Sequence, residues 1–456
     1  MDRRRLLMGA SASLMAAAAP GVAHAAPRRK PNFIVILCDD LGYGDLSLDG
    51  KGPIATPHLA QMAREGVTLT DYYAPANLCT PSRAGLLTGR YPVRTGLGFE
   101  VIMQPEARGL PLSEVTIPRA LKGDYVSGLF GKWHLGHAPE FWPPTKHGFD
   151  TFFGIPYSHD MKPLALYEAH AGVEEVRNRP ADLATLQQQF YTHAESFIES
   201  NRDRPFFVEL ALSSPHLPSH PATGYDVHGR AGPYGATVTE IDSIVGRLIA
   251  KLKSLKLDQD TLILFTSDNG PWFEGSSGGL RERKGGAGYD GGYRVPFIAR
   301  QPGTLPAGRR VNAISMGTDV LPTLCAMAGV ALPAGLEIDG KDISAVLTSG
   351  AASPHDALLL FDNEGVAAIR TQRWKYVAQA YYRGNKFPLD SFGMGELFDV
   401  GADMTENYNL AANYPDVVAE MKQRLAAART TFAPYKHKEA PAYFKQLRDV
   451  LEHMQD

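Results

Sequence analysis

The segment PNFIVILCDDLGYGD, residues 31 to 45, joins a continuous apolar run to a turn rich in carboxylates and glycine. Its apolar part, Phe33 to Cys38, has the length and β-branched content typical of a buried strand. Two adjacent carboxylates, Asp39 and Asp40, follow directly, and they repel each other unless a cation binds both. The segment therefore predicts a buried strand with a candidate cation site at its carboxyl end; a solvated loop that caps a helix is the alternative.

Strand and helix patterns alternate along the chain from Phe33 to Val330. Further strands are expected within residues 125–132, 204–218, 261–266 and 295–303. Helices are expected at residues 56–66, from about 79, and at 117–122, 181–200, 234–255 and 317–330. This alternation predicts an α/β fold, a mostly parallel doubly wound sheet with helices on both faces.

Other polar residues also follow predicted strands. Asp268 and Asn269 come after the strand at 261–266, Lys132 and His134 lie at the end of another strand, and His216 follows a third. Ligands of such sheets bind at the carboxyl ends of the strands, so we expect these side chains to share one edge. The pairs Asp39-Asp40 and Asp268-Asn269 offer carboxylate and amide oxygens as ligands, a set that suits Ca²⁺ or Mg²⁺ better than zinc.

The segment LCTPSRAGLLTGR, residues 78 to 90, places a nucleophile and an arginine at the start of a helix. Pro81 suits the first turn of a helix, so Cys79 lies at or just before its N-terminus. Arg83 follows four residues later on the same face, and the free amides of the first turn add partial positive charge. An oxyanion would fit there, although a lone cysteine is often only a small buried hydrophobic residue.

The run C-T-P-S-R followed by L-T-G-R resembles the signature of the type I sulfatases. The segments GYGDLS after Asp39-Asp40, GKWHLGH (131–137) and GIPYSHD (154–160) resemble the same family, and the stretch from Val93 to residue 160 is most similar to its arylsulfatase branch. The resemblance implies that a formylglycine-generating enzyme converts Cys79 to formylglycine (3-oxoalanine). The hydrate of this aldehyde would attack sulfur in aryl or carbohydrate sulfate esters.

The resemblance also implies a ligand set for Ca²⁺, with Mg²⁺ as the alternative ion. The implied metal ligands are Asp39, Asp40, residue 79, Asp268 and Asn269. The implied cations around the sulfate are Arg83, Lys132 and Lys284.

Proton-transfer roles follow from the same resemblance. Asp268 would help to deprotonate one hydroxyl of residue 79, His216 with Lys284 would protonate the leaving oxygen, and His134 would take a proton from the second hydroxyl. Ser158 would lie near the substrate sulfate. Because the loop after Lys284 has one residue more than the family pattern, Arg283 is an alternative to Lys284.

Length and composition predict one large domain and one smaller domain. The chain has 456 residues, of which 44% are hydrophobic and 21% charged. We expect a catalytic domain at 26–350 and a small C-terminal α+β domain at 351–456, with an antiparallel sheet and a terminal helix over 414–432. Three cysteines without paired spacing make a disulfide framework unexpected, and we expect Cys38 and Cys325 in the core.

Residues 1–25 have the pattern of an export signal, with three consecutive arginines, a weakly apolar run and Ala-His-Ala at the end. The arginines resemble a twin-arginine signal, which predicts export to a bacterial periplasm. No other apolar run approaches the length of a membrane span. Loss of the signal would change the formal net charge from −3 to about −5, which disfavours nucleic acid and anionic lipid as partners.

Three alternatives stay open at this point. A zinc site at His216 and His220 is disfavoured because Pro218 lies between them and no Glu follows His216. A phosphonate or phosphodiester hydrolase of the alkaline phosphatase superfamily would use the same layout. A chain whose Cys79 stays unmodified would be a non-catalytic binder of sulfate esters.

Overall fold

The computed structural model describes residues 29–382 and 385–446, so the predicted signal at 1–25 lies outside the described residues. The strands in chain order are β1 (Asn32–Asp39), β2 (Val67–Leu69), β3 (Tyr72–Tyr73), β4 (Val126–Lys132), β5 (Thr151–Ile155), β6 (Ala165–His170), β7 (Arg177–Pro180), β8 (Phe206–Pro215), β9 (Thr261–Ser267), β10 (Phe297–Arg300), β11 (Arg309–Val311), β12 (Ser315–Met316), β13 (Leu358–Asp362), β14 (Gly365–Arg370), β15 (Trp374–Val377), β16 (Ala380–Tyr382), β17 (Asn385–Phe387) and β18 (Glu396–Asp399). The α-helices are α1 (Pro57–Arg64), α2 (Cys79–Thr88), α3 (Ile117–Ala120), α4 (Leu186–Ser200), α5 (Gly232–Ser254), α6 (Asp290–Tyr293), α7 (Val320–Ala328), α8 (Ser344–Ser349) and α9 (Pro415–Phe432).

A ten-stranded sheet forms the centre of the described chain, in the order β11-β2-β10-β9-β1-β8-β4-β5-β6-β7. Its middle strands β9, β1, β8, β4 and β5 are all parallel, whereas β10, β6 and β7 pair antiparallel to their neighbours. Strand β1 lies between two parallel neighbours and is buried along its whole length, which explains its unbroken apolar run. The predicted α/β class and mostly parallel sheet are confirmed.

Helices cover both faces of this sheet. On one face, α2 and α7 pack on alternate residues of β1 such as Phe33 and Val35. On the other face, α1, α4 and α5 pack on the intervening residues such as Ile34 and Ile36. Because the side chains of a strand alternate between its two faces, β1 contributes to the cores on both sides of the sheet. This packing fixes the position of its carboxyl end.

A smaller antiparallel sheet, β13-β14-β15-β18, follows the central sheet and packs against α9. This agrees with the predicted antiparallel C-terminal sheet and terminal helix, while the division of the chain at residue 350 stays a prediction. The cysteines at 38 and 325 are buried and free, as expected for core residues. Within the part of the chain that the structure describes, no helix combines the length and apolarity needed to cross a membrane.

Candidate active site

The carboxyl ends of β1 and β9 bring the two predicted acidic pairs together. Cys38 is level with Ser267 in this parallel pairing, so Asp39-Asp40 and Asp268-Asn269 leave the sheet side by side. The backbone of Asp40 has a φ of 64°, and its amide donates to Oδ1 of Asp268 at 3.2 Å. All four residues are buried, at 2% exposure or less.

Helix α2 begins at Cys79 and points its first turn at this group. The Sγ atom of Cys79 lies 3.5 Å from Oδ1 of Asp39 and 3.9 Å from Oδ1 of Asp40. Four residues later, the Nη2 atom of Arg83 lies 2.8 Å from Oδ2 of Asp268 and 3.7 Å from Oδ1 of Asp39. The expected shared face of Cys79 and Arg83 is therefore present.

Two lysines complete the set of charges. Nζ of Lys132, at the end of β4, lies 2.6 Å from Oδ2 of Asp39, and Nζ of Lys284 lies 2.8 Å from Oδ2 of Asp40. Arg283 donates instead to the backbone carbonyls of Trp272 and Gly275. Of the two candidates in this loop, Lys284 is the one that reaches the site.

Backbone carbonyls orient the two site histidines. His134, at a φ of 58°, places Nε2 3.1 Å from the carbonyl oxygen of Ile102, while its buried Nδ1 has no hydrogen-bond partner. His216 faces the carbonyl oxygen of Leu217 through Nδ1, and its Nε2 lies 3.7 Å from Oδ2 of Asp40. The Oγ atom of Ser158, a buried residue, is 3.4 Å from the same Nε2.

The electrostatics of the site set its protonation states. Burial alone would raise the pKa of Asp39, but Lys132, His216 and Arg83 outweigh it and hold this pKa well below its usual range. Burial raises the pKa of Asp268 to about 6. Burial and the charge of Lys132 hold the pKa of His134 well below its usual value, so its imidazole is neutral at neutral pH.

The same site can hold a divalent cation. Potential ligand atoms of Asp39, Asp40, Cys79 and His216 all lie within 4.8 Å of one another, in the one such group found among the described residues. The Oδ1 atom of Asn269 is buried without a hydrogen-bond partner, which is costly unless something positive faces it. Each oxygen of Asp268 accepts one hydrogen bond, from Arg83 or from the amide of Asp40, and keeps a second lone pair that could face a cation. His220 does not belong to this group, so the pair of His216 and His220 that defined the zinc alternative is not brought together there.

Sequence reasoning missed two groups near the site. The carbonyl of Ile102 orients His134, and no side-chain pattern could have identified it. Glu209, on β8, is fully buried behind Arg83 with its Oε2 atom unpartnered. A lone carboxylate in the apolar run FFVELAL was the available signal for Glu209.

Acidic side chains, three cations and one candidate nucleophile converge at the ligand-binding edge of an α/β sheet, and this arrangement defines a hydrolase of oxyanion esters. A family model described as Sulfatase matches residues 31–330, and one described as N-sulphoglucosamine sulphohydrolase, C-terminal, matches residues 287–431. The chain therefore belongs to the sulfatase family and is a sulfuric ester hydrolase.

Individual relatives agree with the family model. The chain is 36% identical to arylsulfatase A of Homo sapiens over an alignment of 466 positions. This alignment covers 91% of this chain and 90% of that protein. The chain is also 36% identical over 375 residues to N-acetylgalactosamine-6-sulfatase of Canis lupus familiaris, which covers 76% and 70%. Among solved structures, the PsFucS1 sulfatase of Pseudoalteromonas sp. has a TM-score of 0.83 at 28% identity and covers 90% of this chain and 92% of that one.

Proposed function

We propose that the chain hydrolyses aryl or carbohydrate sulfate esters through formylglycine at position 79, with a divalent cation bound beside it. The observation that carries this proposal is the position of the Cys79 side chain between Asp39 and Asp40, whose outer oxygens face Lys132 and Lys284. Burial raises the pKa of the Cys79 thiol, so an unmodified thiol would stay protonated and would be a weak nucleophile. A hydrated aldehyde supplies oxygen nucleophiles instead.

The oxygen-rich donor set fits Ca²⁺, with Mg²⁺ as the alternative ion. We propose that Asp39, Asp40, Asp268, Asn269 and residue 79 hold it, and the unpartnered Oδ1 of Asn269 supports this assignment. When bound, the cation would lower the pKa of a hydroxyl and neutralise charge on the sulfuryl group.

In this proposal, positively charged side chains stabilise the negative charge that develops on the sulfuryl oxygens. Arg83 and Lys132 are nearly or fully buried, so they act where water does not weaken them. Lys284 is 10% exposed and stands at the outer side of the site, where the leaving oxygen would lie.

The histidines serve different proton transfers in this proposal. Because Nε2 of His134 faces a carbonyl, its proton stays there and the unpartnered Nδ1 can accept a proton from a hydroxyl on residue 79. His216 keeps a proton on Nδ1 in the same way, so Nε2 of its protonated form can donate to the leaving oxygen, with Lys284 nearby. Asp268 would help to deprotonate the attacking hydroxyl, and Ser158 would contact the sulfate beside His216.

Maturation and location complete the proposal. A formylglycine-generating enzyme would modify Cys79 before or during export, and residues 1–25 would direct the folded protein to a bacterial periplasm by the twin-arginine route. The catalytic part would span residues 26–350, followed by a small domain at 351–456.

The test is hydrolysis of nitrophenyl sulfate and nitrophenyl phosphate by Ca²⁺-loaded protein, each with and without a chelator. We expect sulfate hydrolysis that the chelator abolishes and that added Ca²⁺ restores. Faster hydrolysis of the phosphate would contradict the proposal in favour of a phosphoester or phosphonate hydrolase, and activity that the chelator leaves unchanged would contradict the role of the cation.

A further inference from the structure

The exposed side chains of the site show where the alcohol part of a substrate must lie. Cys79 is 1% exposed, and Arg83 and Lys132 are as deeply buried. Among the side chains with a proposed charge or proton-transfer role, only those of Lys284 and His216 reach the surface, with 10% and 13% of their area exposed. A sulfate bound at residue 79 therefore directs its alcohol outward past these two residues.

A cleft of about 580 Å³ opens directly beside Lys284. Its other walls include Trp272, Phe273 and Leu280 from the loop after β9, and Tyr381 from β16. Trp272 and Phe273 are 40% and 73% exposed, with ring centroids 4.5 Å apart. Two adjacent exposed aromatic rings at the mouth of a site indicate a surface that an apolar ligand covers.

The walls of this cleft are held in place by hydrogen bonds. Arg283 donates to the carbonyl oxygens of Trp272 at 2.9 Å and Gly275 at 2.5 Å. The amide of Lys284 donates to the carbonyl oxygen of Pro271 at 3.0 Å, which joins the lysine directly to the aromatic segment. The cleft is thus built before a ligand binds, which reduces the entropic cost of binding.

The same hydrogen bonds decide which kind of ring the cleft suits. The hydroxyl of Tyr381 donates to Asp362, the Oγ atom of Ser277 donates to the carbonyl of Leu280, and Arg283 is engaged as described. Apart from Lys284 and the exposed Glu282, the lining therefore presents mainly apolar faces, whereas a sugar would need free polar partners around its ring for its hydroxyls.

We propose that Trp272, Phe273 and Tyr381 form the binding site for the leaving group, and that it takes an arene or fused-ring alcohol with extended apolar faces. This inference rests on the proposed function and names its substrate class. The volume of the cleft exceeds what one small ring requires, so a bicyclic alcohol should bind better than a monocyclic one.

The kinetic test compares 4-methylumbelliferyl sulfate with glucose 6-sulfate in the wild type and in Trp272→Ala. We expect Trp272→Ala to raise KM for the bicyclic substrate about tenfold, the size of effect expected for a lost aromatic contact, with less than a twofold change for the sugar sulfate. Trp272→Phe should recover part of the loss. The matched control is Phe392→Ala, an aromatic residue that is 64% exposed outside the cleft, and it should leave both KM values unchanged. Equal KM changes for the two substrates in Trp272→Ala would overturn the inference.

A binding measurement separates this inference from the proposed function. The sulfate-free alcohol 4-methylumbelliferone should quench tryptophan fluorescence of the wild type, and the quench should be lost in Trp272→Ala. Quenching by the alcohol in a protein that hydrolyses no sulfate ester would support the cleft and contradict the proposed function. Hydrolysis of the bicyclic ester without any quench by the alcohol would contradict the cleft alone.

Discussion

His134 and His216 present opposite ring nitrogens to the site because a backbone carbonyl holds each ring. The carbonyl of Ile102 leaves Nδ1 of His134 free, and the carbonyl of Leu217 leaves Nε2 of His216 facing Asp40. His134 is 2% exposed, whereas the side chain of His216 is 13% exposed. In the proposed function, these two positions therefore give the histidines different proton-transfer roles.

The proposed acid role of His216 predicts a dependence on the leaving group. A phenol has a pKa of about 10, whereas the alkoxide that leaves from a sugar sulfate is far more basic. Protonation of the leaving oxygen therefore matters more for the sugar ester. General-acid help typically contributes about 10²- to 10⁴-fold. We therefore expect His216→Ala to reduce kcat for a sugar or alkyl sulfate by at least about 100-fold, with a much smaller loss for nitrophenyl sulfate.

The matched control for this experiment is His134→Ala. Because His134 faces residue 79 in the proposal, and not the leaving oxygen, its loss should slow both substrates by similar factors. Steady-state rates on the two esters measure this. Equal losses in His216→Ala would remove His216 from the acid role.

Glu209 places a carboxyl group in the middle of β8, among apolar neighbours. It is fully buried, and burial raises its pKa to about 7, although the positive charge of Arg83 opposes this. A carboxyl group whose pKa is higher in the folded than in the unfolded chain contributes stability below its unfolded pKa. That stability is lost as the pH rises through about 7.

The pH dependence of unfolding tests this assignment. Each pKa unit corresponds to about 1.4 kcal/mol, so the wild type should lose roughly 2–3 kcal/mol from this group between pH 4.5 and pH 8. Glu209→Gln removes the titration, and denaturant unfolding at several pH values should show a correspondingly flatter profile. A profile parallel to that of the wild type would show that Glu209 has the same pKa in the folded and the unfolded chain, which would contradict the assignment.

The elements around the site were predictable because their signals are local. The apolar runs of β1 and β9 and the proline in the first turn of α2 set those boundaries within about a residue. The antiparallel strand β10 and the added strands β6 and β7 were not predicted as such, because direction within a sheet depends on long-range pairing. Helix α4 begins later than expected because Asp182 accepts a hydrogen bond from the amide of Ala184 in a preceding 3₁₀ turn.

The choice between Arg283 and Lys284 shows the same limit at the site. Composition alone could not order two neighbouring cations in a glycine-rich loop. The hydrogen bonds of Arg283 to backbone carbonyls and of Lys284 to Asp40 distinguish them only in three dimensions.

A buried charge cluster links helix α6 to the C-terminal sheet. The Nζ atom of Lys375, on β15, lies 2.6 Å from Oδ1 of Asp290 and 2.6 Å from Oε1 of Glu406. All three side chains are fully buried. Asp290 lies at the start of α6, just beyond the loop that carries Lys284. The cluster therefore connects the C-terminal sheet to the loop that builds the site and the cleft.

We expect Lys375→Met to destabilise the whole molecule. Removing one partner of a buried ion pair leaves uncompensated charge and typically costs about 3–5 kcal/mol. Thermal unfolding should shift to a lower midpoint, and the loss of activity with temperature should shift with it. Lys251→Met, which breaks an exposed pair with Glu199, is the matched control and should leave the midpoint unchanged. An unchanged midpoint in Lys375→Met would show that the cluster does not hold the C-terminal sheet in place.

The most direct test of the account is the chemical identity of residue 79 in active protein. Mass spectrometry of the tryptic peptide that ends at Arg83 distinguishes a thiol from an aldehyde oxygen, and it can be paired with the turnover rate of each preparation. We predict that the aldehyde is present and that turnover rises in proportion to its fraction. Full activity in a preparation whose residue 79 is entirely thiol would contradict the account.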